Sequence, residues 1–96
     1  MIEETMILEV TGDTQVTERK TNLYSVQVCV DGIAAGDSVV LLDGDAGGTI
    51  RWRVVAHATD YVYVWTPSNP AVFSAGIYVE VTLAGGGAVY VTLTYS

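Results

Sequence analysis

Few residues in this 96-residue chain have reactive side chains, and their spacing limits what each could do. The single histidine, His57, would need a nucleophile and an orienting carboxylate to work as a general base. Ser38, Ser68 and Ser74 could be proposed as the nucleophile, but no motif surrounds any of them. His57 stands beside Val55 and Ala58 and reads as an ordinary strand residue, so no catalytic residue is assigned. Asp31, Asp37, Asp43 and Asp45 lie close together in glycine-containing segments, and carboxylates with loop carbonyls are calcium chemistry. Yet Asp43-Gly44-Asp45-Ala46-Gly47-Gly48 lacks the later ligands of a helix-flanked calcium loop, and Asp with Gly is also ordinary turn vocabulary. Calcium stays an open question and no metal ligand is assigned. Gly85-Gly86-Gly87 would need a following helix and a nearby lysine to cradle phosphate. A strand pattern follows instead, with no lysine near, so no cofactor is expected. Cys29 is the one cysteine; it can form no intrachain disulfide or zinc set, and it sits in an apolar run that favours burial.

The aromatic residues carry more information. Tyr61, Tyr63 and Trp65 alternate with Val62 and Val64, and Tyr78 and Tyr90 fall on the expected outer faces of two later strands. Rings gathered on one sheet face would form a stiff amphipathic platform, suited to a protein interface or to stacking on sugars. The five are the candidate partner-interface residues. The plainer alternative is that the rings cover the edges of a small core.

Composition sets the context. Hydrophobic residues make up 50% of the chain and charged residues 16%, against about 25% charged in a typical soluble domain. A small domain has the most surface to cover, so either much of its exterior is apolar or another subunit shields it. Eleven acidic residues against four basic ones give a net charge of −7. That balance argues against nucleic acid, which needs clustered Lys and Arg, and against an anionic membrane surface. The opening Met1-Ile2-Glu3-Glu4 is acidic where a secretion signal is basic, and no apolar stretch reaches transmembrane length. Synthesis in a reducing cytoplasm is the expectation.

Strand signals dominate throughout. Residues 5–11, 15–18, 23–30, 37–43, 49–58, 61–66, 76–83 and 88–95 are runs of β-branched and aromatic residues, broken by Gly, Asp, Asn and Pro. Residues 39–42 are apolar on both faces and are expected to be central or covered. Arg51 and Arg53 alternate with Ile50, Trp52 and Val54 and are expected on a solvent or partner face. Residues 66–70, with Pro67 and Pro70, read as a loop. No window sustains a helical period. The fold expected is all-β: one antiparallel β-sandwich over residues 1–96, jelly-roll-like, with about seven strands. The expected interior draws on Leu8, Val10, Val26, Val28, Val39, Leu41, Trp52, Val54, Val62, Val64, Ile77, Val79, Val81, Val89, Val91 and Leu93.

The chain resembles small structural proteins of tailed bacteriophages. The likeness lies in the first strand ending at Thr11-Gly12-Asp13-Thr14, in Asp37-Ser38-Val39-Val40-Leu41-Leu42-Asp43-Gly44, and in the closing pair of strands. In that pair, Gly76-Ile77-Tyr78-Val79-Glu80-Val81-Thr82-Leu83 and Val89-Tyr90-Val91-Thr92-Leu93-Thr94-Tyr95 flank a glycine turn. It is a style of alternation and turns across most of the chain, and it carries no catalytic residue. It implies a non-enzymatic virion protein, such as a capsid decoration (cement) protein, with the major capsid protein or another virion protein as partner and a homo-oligomeric state. The alternatives are a tail or neck component and, from another class, a carbohydrate-binding module. An acidic arm at residues 1–5 is a further candidate contact.

Overall fold

A computed structural model describes residues 5–32, 36–56, 60–83 and 87–96, the side chains of 60 and 61 excepted. It is an antiparallel β-sandwich. The strands are β1 (Met6–Val10), β2 (Thr14–Gln15), β3 (Thr21–Asp31), β4 (Ser38–Asp43), β5 (Thr49–Val55), β6 (Asp60–Trp65), β7 (Ala71–Phe73), β8 (Ile77–Thr82) and β9 (Ala88–Tyr95). One sheet runs β1-β9-β3-β6, with β7 also on β3, and the other runs β2-β8-β4-β5. β6 pairs with Val26–Asp31 and β7 with Thr21–Leu23, so the two lie end to end on β3 as one interrupted strand. The chain changes sheet at every other connection except β4 to β5, which is the wrapping order of a jelly roll.

The interior comes from alternation. Val26, Val28 and Val30 of β3, Val39 and Leu41 of β4, Ile77 and Val79 of β8, and Val89, Val91 and Leu93 of β9 are buried in one cluster. Val54 and Val81 pack against it. β4 is apolar on both faces because it is covered on both: Val40 and Leu42 lie outside the core cluster yet are buried. Their cross-strand neighbours are Arg53 and Glu80 for Val40, and Ile50 and Tyr78 for Leu42. Long side chains flanking a central strand shield it in this way.

Several expectations need correction. Val62 and Val64 are not interior; they are 51% and 62% exposed. The register opposes Val28 to Tyr63 and Val26 to Trp65, so it is the rings that share the inner face of β3's valines. Trp65 stacks on Trp52 from the other sheet, with ring centroids 6.0 Å apart and planes 9° apart, and this closes the sandwich at its β5–β6 side. Only large rings span the gap where two sheets splay at their margins. A bulge between Leu23 and Ser25 reverses the alternation of β3: Thr21 and Leu23 are buried, and Tyr24 is half-buried instead of joining Val26 inside. A second bulge at Leu41/Leu42 opposes Ile50 to Leu42 and leaves Ile50 exposed, while Arg51 and Arg53 are exposed as expected. β7 is an additional strand, three residues long, after Pro70.

The alternation has a sharp consequence on the two faces of one sheet. Val91→Asp puts an unpaired carboxylate into a fully enclosed site and should abolish cooperative unfolding in urea. Val64→Asp, on the wet face, should change stability by about 1 kcal/mol or less. Similar losses at both positions would contradict this placement.

Candidate functional site

Sequence reasoning grouped five aromatic residues as a platform, and the structure divides them. Tyr63 and Trp65 are half-buried and pack against the core, so these two rings are part of the sandwich closure rather than an outward platform. Tyr61 sits in β6 opposite Val30, but its side chain lies outside the described residues. Tyr78 is half-buried on the outer face of the β2-β8-β4-β5 sheet, and Tyr90, 41% exposed, stands on the outer face of the other. The rings that remain outward are therefore on opposite sides of the molecule.

What the structure assembles instead is a sheet face with an uncharged centre. The outer face of the β1-β9-β3-β6 sheet presents rows set by register: Cys29 between Tyr90 and Val62, Gln27 between Thr92 and Val64, and Ser25 beside Thr94. Ile7 and Glu9 extend these rows on β1, opposite Thr94 and Thr92. Ile7, Val62, Val64 and Val72 are exposed along with Tyr90. Among the described side chains, the charges on this face stand at its margins, Glu9 on the outermost strand and Asp31 at the end of β3. The signal for this face was present in the sequence as the Thr, Val and Tyr positions alternating with the core. Its phase on β6 depended on a register that the residues alone leave open.

The opposite outer face is mixed, with Arg53 and Glu80 on either side of Val40. A shallow depression of about 300 Å³ is lined by Gln15, Glu18, Gly44, Asp45 and Ala75, four of them in connections between strands. No basic or nucleophilic side chain among the described residues lines it. Among the described residues no three His, Cys, Asp or Glu side chains are grouped to hold a metal ion. His57 and residues 84–86 of the glycine turn lie outside the described residues, as do residues 1–4 of the acidic arm.

The aspartates expected in loops have structural work of their own. Asp43 Oδ1 accepts the Ala75 N–H at 2.8 Å; Oδ2 accepts the Ser74 N–H at 2.9 Å and the Ser74 hydroxyl at 3.1 Å. Arg51, the residue displaced by the β5 bulge, reaches the same Oδ2 at 3.4 Å. One carboxylate thus ties the end of β4 to the turn between β7 and β8. The Ala75 N–H holds the Asp43 carboxyl below its ordinary range; partial desolvation opposes this, and Ser74 and Arg51 add to it. Gly76, at φ 132°, completes the turn: a Cβ there would strike the Thr17 carbonyl, so no other residue fits. Asp13 accepts the Val81 N–H at 2.7 Å, beyond the point where the two-residue β2 stops pairing with β8. Asp45 accepts the Gly47 N–H at 2.9 Å within its own turn. Asp37 is buried ahead of β4, where its carbonyl accepts the Ala56 N–H at 2.8 Å.

No family model, curated protein or solved structure matches this chain.

Because the folded-state pKa of Asp43 is depressed, its contribution is complete above the unfolded aspartate value of about 3.9 and is lost as pH falls through the lower folded value. Asp43→Asn should therefore cost about 1–3 kcal/mol at pH 7, the scale of hydrogen bonds to a charged group. That gap to the native chain should narrow on acidification below about pH 4. Urea melts of both proteins across that range check it; a gap constant with pH would remove the carboxylate from this role.

Proposed function

We propose that this protein is a non-enzymatic structural component of a virion, a capsid decoration protein that adheres through the outer face of its β1-β9-β3-β6 sheet. One observation carries the adhesive part: a chain of net charge −7 has its described charges at the margins of one sheet face and exposes valine, isoleucine and tyrosine across the rest. Exposed apolar groups on a broad face mark sites that another protein covers, and depletion of charge is the compositional sign of an interface core. The virion part draws support from the jelly-roll order, an architecture shared by viral capsid and lectin domains, and from the resemblance of the strand and turn pattern to small phage structural proteins. Many identical lattice sites would add avidity to a modest single contact. Sugar binding has less support, because Trp52, Tyr63 and Trp65 pack against the core and cannot present their faces to a pyranose.

Immunogold labelling of virions banded from the lysate in which the chain is made, using antibody to the purified protein, should mark heads at many sites. Unlabelled virions, or label confined to tails, would overturn head decoration. Exchanging Tyr90 and Thr92 for aspartate, at exposed or half-buried positions mid-face, should weaken rebinding to heads by about 30-fold or more, the effect of losing about 2 kcal/mol at an interface centre.

A further inference from the structure

The chain has four basic residues, and none stands on the outer face of the β1-β9-β3-β6 sheet. Arg19 and Lys20 lie in the β2–β3 connection; Arg51 and Arg53 are on β5 of the other sheet, where Arg51 reaches Asp43. The described charges of the outer face are therefore acids alone, Glu9 and Asp31, both exposed. Register fixes their separation. Glu9 opposes Thr92, Thr92 opposes Gln27, and Asp31 follows Gln27 by four residues on β3. Two strand spacings across and four residues along put their backbones about 17 Å apart. The uncharged centre between them is small. Four strands wide and running from Ser25 to Asp31, the face measures roughly 400 Å² in plan, against about 800 Å² per partner in a specific protein interface.

We infer that the occupant of this face is a different protein, one whose surface presents lysine or arginine at two points about 17 Å apart, flanking an uncharged centre, so that they meet Glu9 and Asp31. The inference rests on the adhesive reading of this face and names the chemistry of the partner. A contact of ordinary size must spread beyond the uncharged centre, and in doing so it covers both carboxylates. A covered carboxylate without a counter-charge is costly, so the partner must bring one to each. The whole chain acts in the same sense. At net charge −7 its field draws a basic surface from a distance and repels an acidic one. A second copy laid face to face would bring only the same two acids to the contact, and nucleic acid or anionic lipid would bring phosphates. The uncharged centre supplies the apolar contact, and the two carboxylates set orientation and the rate of encounter.

The probe is the cleared lysate in which the chain is made, passed over the immobilised chain at about 0.05 M salt. One protein should be retained and should come off by about 0.5 M salt. With that protein purified, binding is measured at about 0.15 M salt, where charges more than about 8 Å apart are largely screened. The E9K/D31K variant, altered only at exposed positions, should keep the native circular dichroism and bind about 10-fold more weakly or worse. The E18K/D45K variant makes the same change in net charge within the β2–β3 and β4–β5 connections and should bind as the native chain does. Exchanging the contacted lysines or arginines of the partner for glutamate should restore its binding to E9K/D31K. No retained protein, equal binding by E9K/D31K and the native chain, or equal losses in the two double variants would each overturn the inference. The virion reading fails separately. A retained protein that is absent from heads removes decoration and leaves the charge pairing, whereas labelled heads with E9K/D31K binding undiminished remove the pairing and leave decoration.

Discussion

Every margin of these two sheets must satisfy, or leave to solvent, a row of backbone donors and acceptors, and the rest of the structure is arranged around how that is done. The polar side chains that sequence inspection would assign to chemistry are spent on this task. Asp43 takes up the N–H groups of Ser74 and Ala75. Gln15 donates through one amide nitrogen to the carbonyls of Thr17 and Gly44 at 2.7 and 2.6 Å, holding the β2–β3 and β4–β5 connections together at one end of the sandwich. The Thr17 hydroxyl accepts the Ile77 N–H at 3.0 Å and also bonds the hydroxyl of the wholly buried Thr21 at 2.7 Å. Thr21 in turn donates to the Arg19 carbonyl at 2.8 Å. No buried side-chain nitrogen or oxygen is left without a partner among the described residues. With so few polar groups in the chain, each that serves the turns is one fewer available to hydrate the sheet faces.

Much of this architecture was legible in the residues. Period-two alternation marked β8 and β9 because each has a face packed against the core, and β4's apolar run announced a strand covered on both sides. Phase was less legible than period. On β6, valine and ring residues alternate and both are apolar, so hydrophobicity alone cannot say which set turns inward; the register against β3 decides it. The two bulges are invisible for a related reason, since one inserted residue among Leu23, Tyr24 and Ser25, or among Ile50, Arg51 and Trp52, leaves every local propensity unchanged. β7 is three residues between Pro70 and Ser74, too short to show any period. The candidate site followed the same pattern: its constituents were visible as types, but the face they share depended on which strands neighbour which.

The low charge content and the uncharged centre of one sheet face are two views of one fact. Sixteen per cent charged residues cannot be spread evenly over both outer faces of so thin a molecule. Among the described residues they gather instead on turns, on β5 and β8, and at sheet margins, leaving the centre of the outer face of the β1-β9-β3-β6 sheet to threonine, valine, tyrosine and other uncharged residues. Threonine keeps such a face wettable while offering methyl groups to a partner, so the same residues serve a free and a covered state.

The pairing of β1 with β9 has a consequence for how the molecule is made. Met6 opposes Tyr95 and Val10 opposes Val91, so the first strand waits for nearly the whole chain before it has a neighbour. At about 5–20 residues per second of synthesis, that delay is roughly 4–18 s. β3, flanked only by β6, β7 and β9, waits almost as long for its second side. No early hairpin can assemble this sheet on the ribosome. The β4–β5 hairpin and the β3–β6 pair have both strands earlier, but this sheet closes only when the final strand emerges, a late step governed by distant contacts.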